Sequence, residues 1–438
     1  MTIPKECDVV VIGGGPAGSL AATYLSQAGY DVVLFDKQKH PRFNVGESVI
    51  PDLWKYCDEA KVSAKIAADG FVQKAGGIVD WHGETRKLAF KDFGYTRPAL
   101  HVERDRFDYI LLEHAREQGV RVYEEVAVRG ADFEIAPGAR VTYRPVGDGE
   151  SEHIACRFVV DASGQNTVIG RQLGLRVIDD AFRFMSVWGY FTDSSYLAAD
   201  GQMHPASSVR TAPPTTYVTS VPGTGDWGWC WHIILRNCAS VGLVLPLDAM
   251  KTVKGNQQSW ESYLLQQCYA LPRLQELLAN AQLCAGSVRV IRDYSYSSTR
   301  VAGPGFFLVG DAAGFVDPIF SVGVVLGMYS ARAAAWTIDR IFRSPDRIAE
   351  HQATYTSQLQ GRMELSRALA LPQYEIGGAT THGAKQVVQF SDTQARALMR
   401  AASALTARSQ HFQALVDDAA AEASVERLPV LPASVKAQ

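Results

Sequence analysis

The sequence lacks any run of 18 uninterrupted apolar residues. Its most apolar segment, Val322 to Trp336, is short and carries Arg332, so no bilayer-spanning helix is expected. Cysteine is sparse and scattered. The seven residues, at positions 7, 57, 156, 230, 238, 268 and 284, form no CxxC pair and no Cys/His cluster. That excludes a disulfide framework and a zinc site, and points to buried thiols in a reducing compartment. No metal site is expected. Neither sign of charge dominates, with 43 Lys and Arg against 46 Asp and Glu and a net charge of −3. A partner rich in phosphate, whether nucleic acid or an anionic membrane, is therefore not expected. Met1 to Cys7 also lacks the charged and apolar stretches of a secretory leader, so the expected location is the cytoplasm. What the chain does have is 47% hydrophobic residues, enough to build a substantial core.

The order of apolar runs gives the organisation. Cys7 to Ile12 is a β-branched run that ends in Gly13-Gly14-Gly15-Pro16-Ala17-Gly18. Ser19 to Ala28 then reads as a helix and Asp31 to Phe35 as a second strand. Neither strand alternates in polarity, as expected where a parallel sheet is covered on both faces. Phe107 to Gln118 is an amphipathic helix, Val120 to Val128 a strand, and Ile154 to Asp161 another strand leading to Ala162-Ser163-Gly164. Between Phe182 and Leu245 the texture changes to short aromatic and β-branched pieces separated by Pro/Gly turns, which predicts a mostly antiparallel sheet. Ser259 to Ala279 reads as helical. Phe306 to Val309 is a late core strand, followed by Gly310-Asp311-Ala312-Ala313-Gly314. From about Ser344 the chain is Ala-rich and helical in pattern, with a frayed tail over Leu428 to Gln438. No internal repeat is present.

Two motifs carry chemistry. Gly13-x-Gly15-x-x-Gly18 lies between a strand and a helix, where glycines allow a tight turn and let backbone approach a pyrophosphate at the helix N-terminus. Asp36 follows the second strand, with seventeen residues between it and Gly18, where a ribose hydroxyl needs an acceptor. A second GxGxxG, Gly223 to Gly228, precedes a strand instead of a helix and is read as a turn. Far downstream, Asp311 ends a core strand and could accept from the ribityl chain of a flavin. The helix beginning near Val322 turns its positive end toward the N1/C2 edge of the ring. Two distant sites that suit different parts of one cofactor favour FAD over NAD.

Gly13 to Gly18 with Asp36, and Gly310 to Leu326 (GDAAGFVDPIFSVGVVL), resemble the FAD motifs of flavin monooxygenases with the hydroxybenzoate hydroxylase fold. Pro41-Arg42-Phe43-Asn44-Val45-Gly46-Glu47-Ser48, with Pro51, is similar to the loop of the halogenase-like branch that lies against the flavin. Val102 to Asp108, Asp161 to Gly164 and Arg292 to Tyr296 fit the same branch. The resemblance covers about residues 8 to 340. It implies an α/β protein with a Rossmann-like, parallel-sheet FAD domain (1–78, 97–178 and 287–345). An inserted, mostly antiparallel substrate sheet (79–96 and 179–286) and a helical C-terminal region (346–438) complete it. The cofactor-contacting residues expected are Gly13, Gly15, Pro16, Ala17, Gly18, Asp36, Lys37, Arg42, Gly46, Glu47, Ser48, Arg104, Asp161, Gly310, Asp311 and Gly323.

Halogenases of this branch carry a WxWxIP strand, matched here by Trp229-Cys230-Trp231-His232-Ile233-Ile234 without the proline. They also carry a lysine that handles hypohalous acid, for which Lys74 is the candidate. A solvated surface lysine is the alternative reading. Ser321-Val322-Gly323 matches the halide-binding loop and equally suits a flavin edge. Trp229, Trp231, Pro318 and Phe320 are candidate pocket residues, with Trp188, Trp227, Tyr190 and Tyr217 nearby. Each aromatic is as readily an ordinary sheet-core residue. Alternation sets Trp229 and Trp231 on one face and Cys230 and His232 on the other. His232 is either a satisfied core histidine or a base.

The degraded tryptophan strand shifts the expectation from halogenation toward hydroxylation. The flavoprotein monooxygenase of quinohemoprotein amine dehydrogenase maturation is similar in its motifs, and implies hydroxylation of a tryptophan in a crosslinked small subunit. The activity expected is thus an O2-dependent FAD monooxygenase that hydroxylates an electron-rich aromatic through a C4a-hydroperoxide. Lys74 or His232 would stabilise the departing oxygen. Its partners would be O2, an external or NAD(P)H-derived reductant, and a small-subunit substrate with its radical crosslinking enzyme. Halogenation of an indole, pyrrole or phenol is the alternative. An isoprenoid-reducing flavoprotein and a non-catalytic flavoprotein are the further rivals.

Overall fold

A computed structural model describes residues 2–81, 83–135, 138–147, 149–180, 182–224, 228–255 and 257–370. The apolar run at the start forms the strand Glu6–Ile12, with Val9, Val10 and Val11 all at zero exposure. Such uninterrupted burial needs cover on both faces, which a central parallel strand has. Val32–Phe35 pairs with it in parallel on one side and the ten-residue strand Glu152–Asp161 on the other. Arg121–Tyr123 and Phe306–Leu308 extend the parallel set outward. The chain turns to opposite sides of Glu6–Ile12, so the crevice that α/β sheets use for ligands opens at its C-terminal end, at the glycine turn.

One expected strand is two. Glu125 sits at φ +59°, a left-handed conformation that breaks an extended run. Arg121–Tyr123 stays in the parallel sheet, while Val126–Asp132 leaves it to pair antiparallel with Ala139–Pro145. The first helix begins earlier than expected, at Pro16. Proline suits a first helical position because its missing N–H has no partner there in any case.

The aromatic middle of the chain forms a second sheet. Its order is Gln282–Leu283, Phe184–Thr192, Ala239–Pro246, Trp229–Ile234, Thr215–Ser220, Gly76–Trp81 and Glu84–Ala89, with Arg289–Arg292 also paired to Phe184–Thr192. All pairings are antiparallel except Thr215–Ser220 with Gly76–Trp81. Trp229 and Trp231 join the apolar cluster on one face, and Cys230 and Ile234 join the cluster on the other. The alternation expected for the tryptophan strand is therefore observed.

A third, small sheet lies between these two, with Ala99–His101 flanked by Ser48–Val49 and Val72–Lys74. Its register sets His101 opposite both Ser48 and Val72. Paired residues share a face, and so do residues two apart along a strand. Ser48, His101 and Lys74 therefore point to the same side. Gly323–Arg343 forms a long helix packed on the first one, and Ile348–Ala370 a further helix. The rest of the expected C-terminal helical region, 371–438 with its frayed tail, lies outside the described residues, as does Trp227. No helix among the described residues is long and apolar enough to cross a membrane.

Candidate active site

The glycine turn is shaped by contacts that only glycine permits. Gly13 has φ +102°, and a Cβ there would lie 2.5 Å from the Ala162 carbonyl oxygen. A Cβ at Gly18 would lie 1.8 Å from the Gly13 carbonyl oxygen. The first helix starts with Gly15 as its cap and no side chain caps it. Its leading N–H groups are thus available to an anionic group. Asp36 is buried, and its Oδ2 accepts from Gly14 N at 2.7 Å while Oδ1 accepts from Gln38 N at 2.8 Å. It fastens the turn.

Arg42 lies over this turn, with Nη2 3.7 Å from Asp36 and Nη1 3.4 Å from Asp108. Its Nε is buried with no hydrogen-bond partner among the described residues. A helix end without a cap and an orphaned guanidinium N–H beside it suit a dinucleotide phosphate.

The late acidic motif sits against the glycine turn, although nearly 300 residues separate them in sequence. A Cβ at Gly310 would lie 3.0 Å from Ala17 Cβ and 3.6 Å from Gly327 Cα. Ala17 and the helix Gly323–Arg343 thus close on Gly310, and Ser330 Oγ accepts from Gly310 N at 2.8 Å. Asp311 follows directly. Burial raises its pKa to about 6, against the opposing charge of Arg104.

Several expected contacts have a structural duty instead. Asp161 is fully buried and both its oxygens accept from backbone, Oδ1 from Ser163 N at 3.0 Å and Oδ2 from Ile169 N at 2.8 Å. It holds the turn that follows its strand. Lys37 is exposed and donates to Asn166 Oδ1 at 3.1 Å, away from the cradle's interior. Arg104 is bidentate to Asp108, at 2.8 and 3.1 Å, and also donates to the Val45 carbonyl. It braces the loop at Gly46, whose φ is +103°. Glu47 ties that loop to the second sheet. Its Oε1 accepts from Tyr190 Oη at 2.5 Å and its Oε2 from Gly46 N at 3.1 Å. Desolvation raises the Glu47 pKa.

Lys74 is no surface lysine. It is 4% exposed, and burial alone pulls its pKa from 10.5 to about 7. Its Nζ donates to Ser48 Oγ at 2.7 Å and stands 5.3 Å from the centre of the Phe90 ring. Ser48 in turn meets Thr216 Oγ1 at 3.0 Å, and accepts from Ser321 Oγ at 3.0 Å. His101 completes the group through Thr216, at 3.0 Å, and the Ile234 carbonyl, at 2.9 Å.

Ser321 links the lysine to the loop that opens the long helix. It is held at φ +57°, a conformation that costs a non-glycine residue energy and concentrates at functional sites. Gly323 begins the helix, again without a side-chain cap. Pro318 and Phe320 sit half-buried in the same loop. Phe320, Val316 and Ile319 pack on the sheet face that carries Trp229, Trp231 and Trp188. The Trp229 and Trp231 rings are 5.9 Å apart. Trp188 and Tyr294 are buried in the same cluster.

His232 lies on the other face of that sheet. It is 1% exposed, its Nε2 meets Ser194 Oγ at 2.8 Å, and burial drops its pKa to about 4. It has the burial and the serine partner of a satisfied core histidine. Thr216 and His101 were not legible as site residues in the sequence. His101 comes from the pairing of three very short strands and Thr216 from the second sheet beside them, a meeting that no local pattern announces.

Residues 6–358 match the FAD binding domain family. The chain is 33% identical over 378 residues to a tryptophan 2-halogenase of Chondromyces crocatus, covering 86% of this chain and 69% of that protein. It is also 33% identical over 367 residues to a 1H-pyrrole-2-carbonyl-[peptidyl-carrier protein] chlorinase of Pseudomonas fluorescens, covering 78% and 77%. Among solved structures, CmlS, a flavin-dependent halogenase, superposes with a TM-score of 0.77 at 27% identity, covering 97% of this chain and 74% of that one. The myxobacterial chondrochloren halogenase CndH gives the same TM-score and identity, covering 97% and 99%. This chain belongs to the halogenase-like FAD flavoenzymes. Its cofactor is FAD and it is an oxidoreductase. These relatives reverse the order of the two activities expected from sequence. Hydroxylation of tryptophan in a protein precursor gives way to the halogenation alternative. The missing proline of the tryptophan strand is a local change, because Ile234 keeps its place in the ladder opposite Ala239.

Proposed function

We propose that this protein halogenates an electron-rich aromatic ring, with Lys74 as its catalytic residue. The observation that carries the reading is a buried lysine with no carboxylate partner among the described residues, held 2.7 Å from Ser48 and one hydroxyl away from the Pro318–Gly323 loop. Bound FAD, once reduced, supplies with O2 the oxidising equivalents that convert halide to hypohalous acid. The residues of the chain do the rest. Uncapped N–H groups at the start of the helix Gly323–Arg343 suit a halide ion. Lys74 Nζ–H donates to the oxygen of hypohalous acid, which withdraws electrons from the halogen and makes it a better electrophile toward the ring. In so dry a site that hydrogen bond is stronger than in water. Trp229, Trp231 and Phe320 offer a flat apolar wall to an aromatic substrate. The cradle among the described residues serves one dinucleotide, so the electrons come from a separate flavin reductase.

The test is product mass. The FAD-loaded protein is given a flavin reductase, O2, chloride or bromide, and a panel of indoles, pyrroles and phenols. Products carrying the isotope pattern of the added halide support the reading. Products that gain only oxygen restore the hydroxylase.

A further inference from the structure

We infer that His101 and Thr216 are positioning residues for Lys74, acting through Ser48; the inference rests on the catalytic reading of Lys74 given above. The argument is one of hydrogen-bond direction. The Ile234 carbonyl can only accept, so His101 Nδ1 carries the ring proton. Burial and the nearby Lys74 charge keep a second proton off the ring, which leaves Nε2 as an acceptor. Thr216, 3.0 Å away, must then donate to Nε2. With its proton spent, Thr216 can only accept from Ser48. Ser48 gives its single proton to Thr216, so both its lone pairs are turned toward Lys74 Nζ and Ser321 Oγ. One backbone carbonyl thus fixes every proton in the chain.

Lys74 consequently always meets an acceptor at Ser48 and never a donor. That arrangement favours the donating ammonium over the free amine and aims one N–H along a fixed line. The titratable groups around the chain do not replace it. His232 lies beyond His101 on the tryptophan strand. Glu47, beside Ser48 in sequence, turns its carboxylate to Tyr190 and Gly46 N. Asp311 feels Arg104. If Thr216 loses its hydroxyl, Ser48 is free to rotate and donate to the lysine lone pair, which favours the neutral amine.

The experiment follows Lys74 in the FAD-loaded protein by NMR, with lysine labelled with 13C at Cε. The resonance is assigned by its absence in Lys74→Met. In Thr216→Val, the Lys74 midpoint should fall by about one pH unit, a tenfold change in the protonation equilibrium. His101→Phe should do the same, and Thr216→Ser should restore the original midpoint. The alkaline limb of halogenation should move with it. A Thr216→Val protein whose Lys74 titrates as in the unaltered protein overturns the inference. So does an equal change in Thr216→Val and Thr216→Ser, which marks a merely structural role. Should Lys74→Met still halogenate at full rate, the catalytic reading fails instead, and the titration result stands apart from it.

Discussion

Lys74 and His232 are both buried, both bonded to a serine hydroxyl and both lowered in pKa by desolvation, yet the proposed site takes in only Lys74. His232 and its partner Ser194 end in the core beneath the second sheet, where Ser194 also donates to the Ser195 and Leu277 carbonyls. Lys74 and its partner Ser48 connect through Ser321 to a strained loop and an uncapped helix start. What separates them is the continuation of the hydrogen-bond chain, and burial alone does not reveal it. Tyr217 pairs directly with His232, while Thr216, one residue earlier, serves Lys74. A single step along a strand decides between core and site.

The contrast can be broken by substitution. The largest effect is expected from Lys74→Met, which should lower the halogenation rate by roughly 10²–10⁴-fold while FAD still binds. His232→Gln should leave the rate within a few-fold and cost about 1–3 kcal/mol of stability through the lost buried hydrogen bond; steady-state kinetics and thermal melts read both. Next comes the cradle. Gly18→Val drives its side chain into the Gly13 carbonyl, so the purified protein should come out without bound flavin, as its absorbance would show.

A smaller effect should appear in pH dependence. Lys74 has a folded pKa of about 7 against an ordinary 10.5, so the unfolded chain binds more protons between those values. Stability from this group therefore rises with pH from about 7 to 10.5. Lys74→Met should flatten that rise in denaturant titrations, and halogenation should decline above about pH 7 as the ammonium is lost. The smallest change is expected from Tyr190→Phe. Losing the Glu47 hydrogen bond frees the loop at Gly46 and should weaken FAD affinity by about 1–1.5 kcal/mol, near tenfold, by fluorescence titration.

Sequence made the cradle legible because its signals are local. Gly13 and Gly18 are needed wherever backbone meets backbone, and the apolar run before them has no other stable place than a covered parallel sheet. The alternation that parted Trp231 from His232 was readable for the same reason. The lysine's surroundings were not. Ser48–Val49, Val72–Lys74 and Ala99–His101 are two or three residues long, and their register is set by the larger sheets around them. Asp161 shows the converse. Its place at the end of a core strand resembles that of Asp311, but its oxygens accept from Ser163 N and Ile169 N, and only geometry reveals a carboxylate that holds a turn.

The most direct measurement is a paired reaction of the unaltered protein and Lys74→Met, each loaded with FAD and supplied with reductase, O2, bromide and the aromatic panel. The account predicts brominated product from the first and at least about a hundredfold less from the second, with equal O2 consumption in both. Equal yields of brominated product from the two proteins would contradict it.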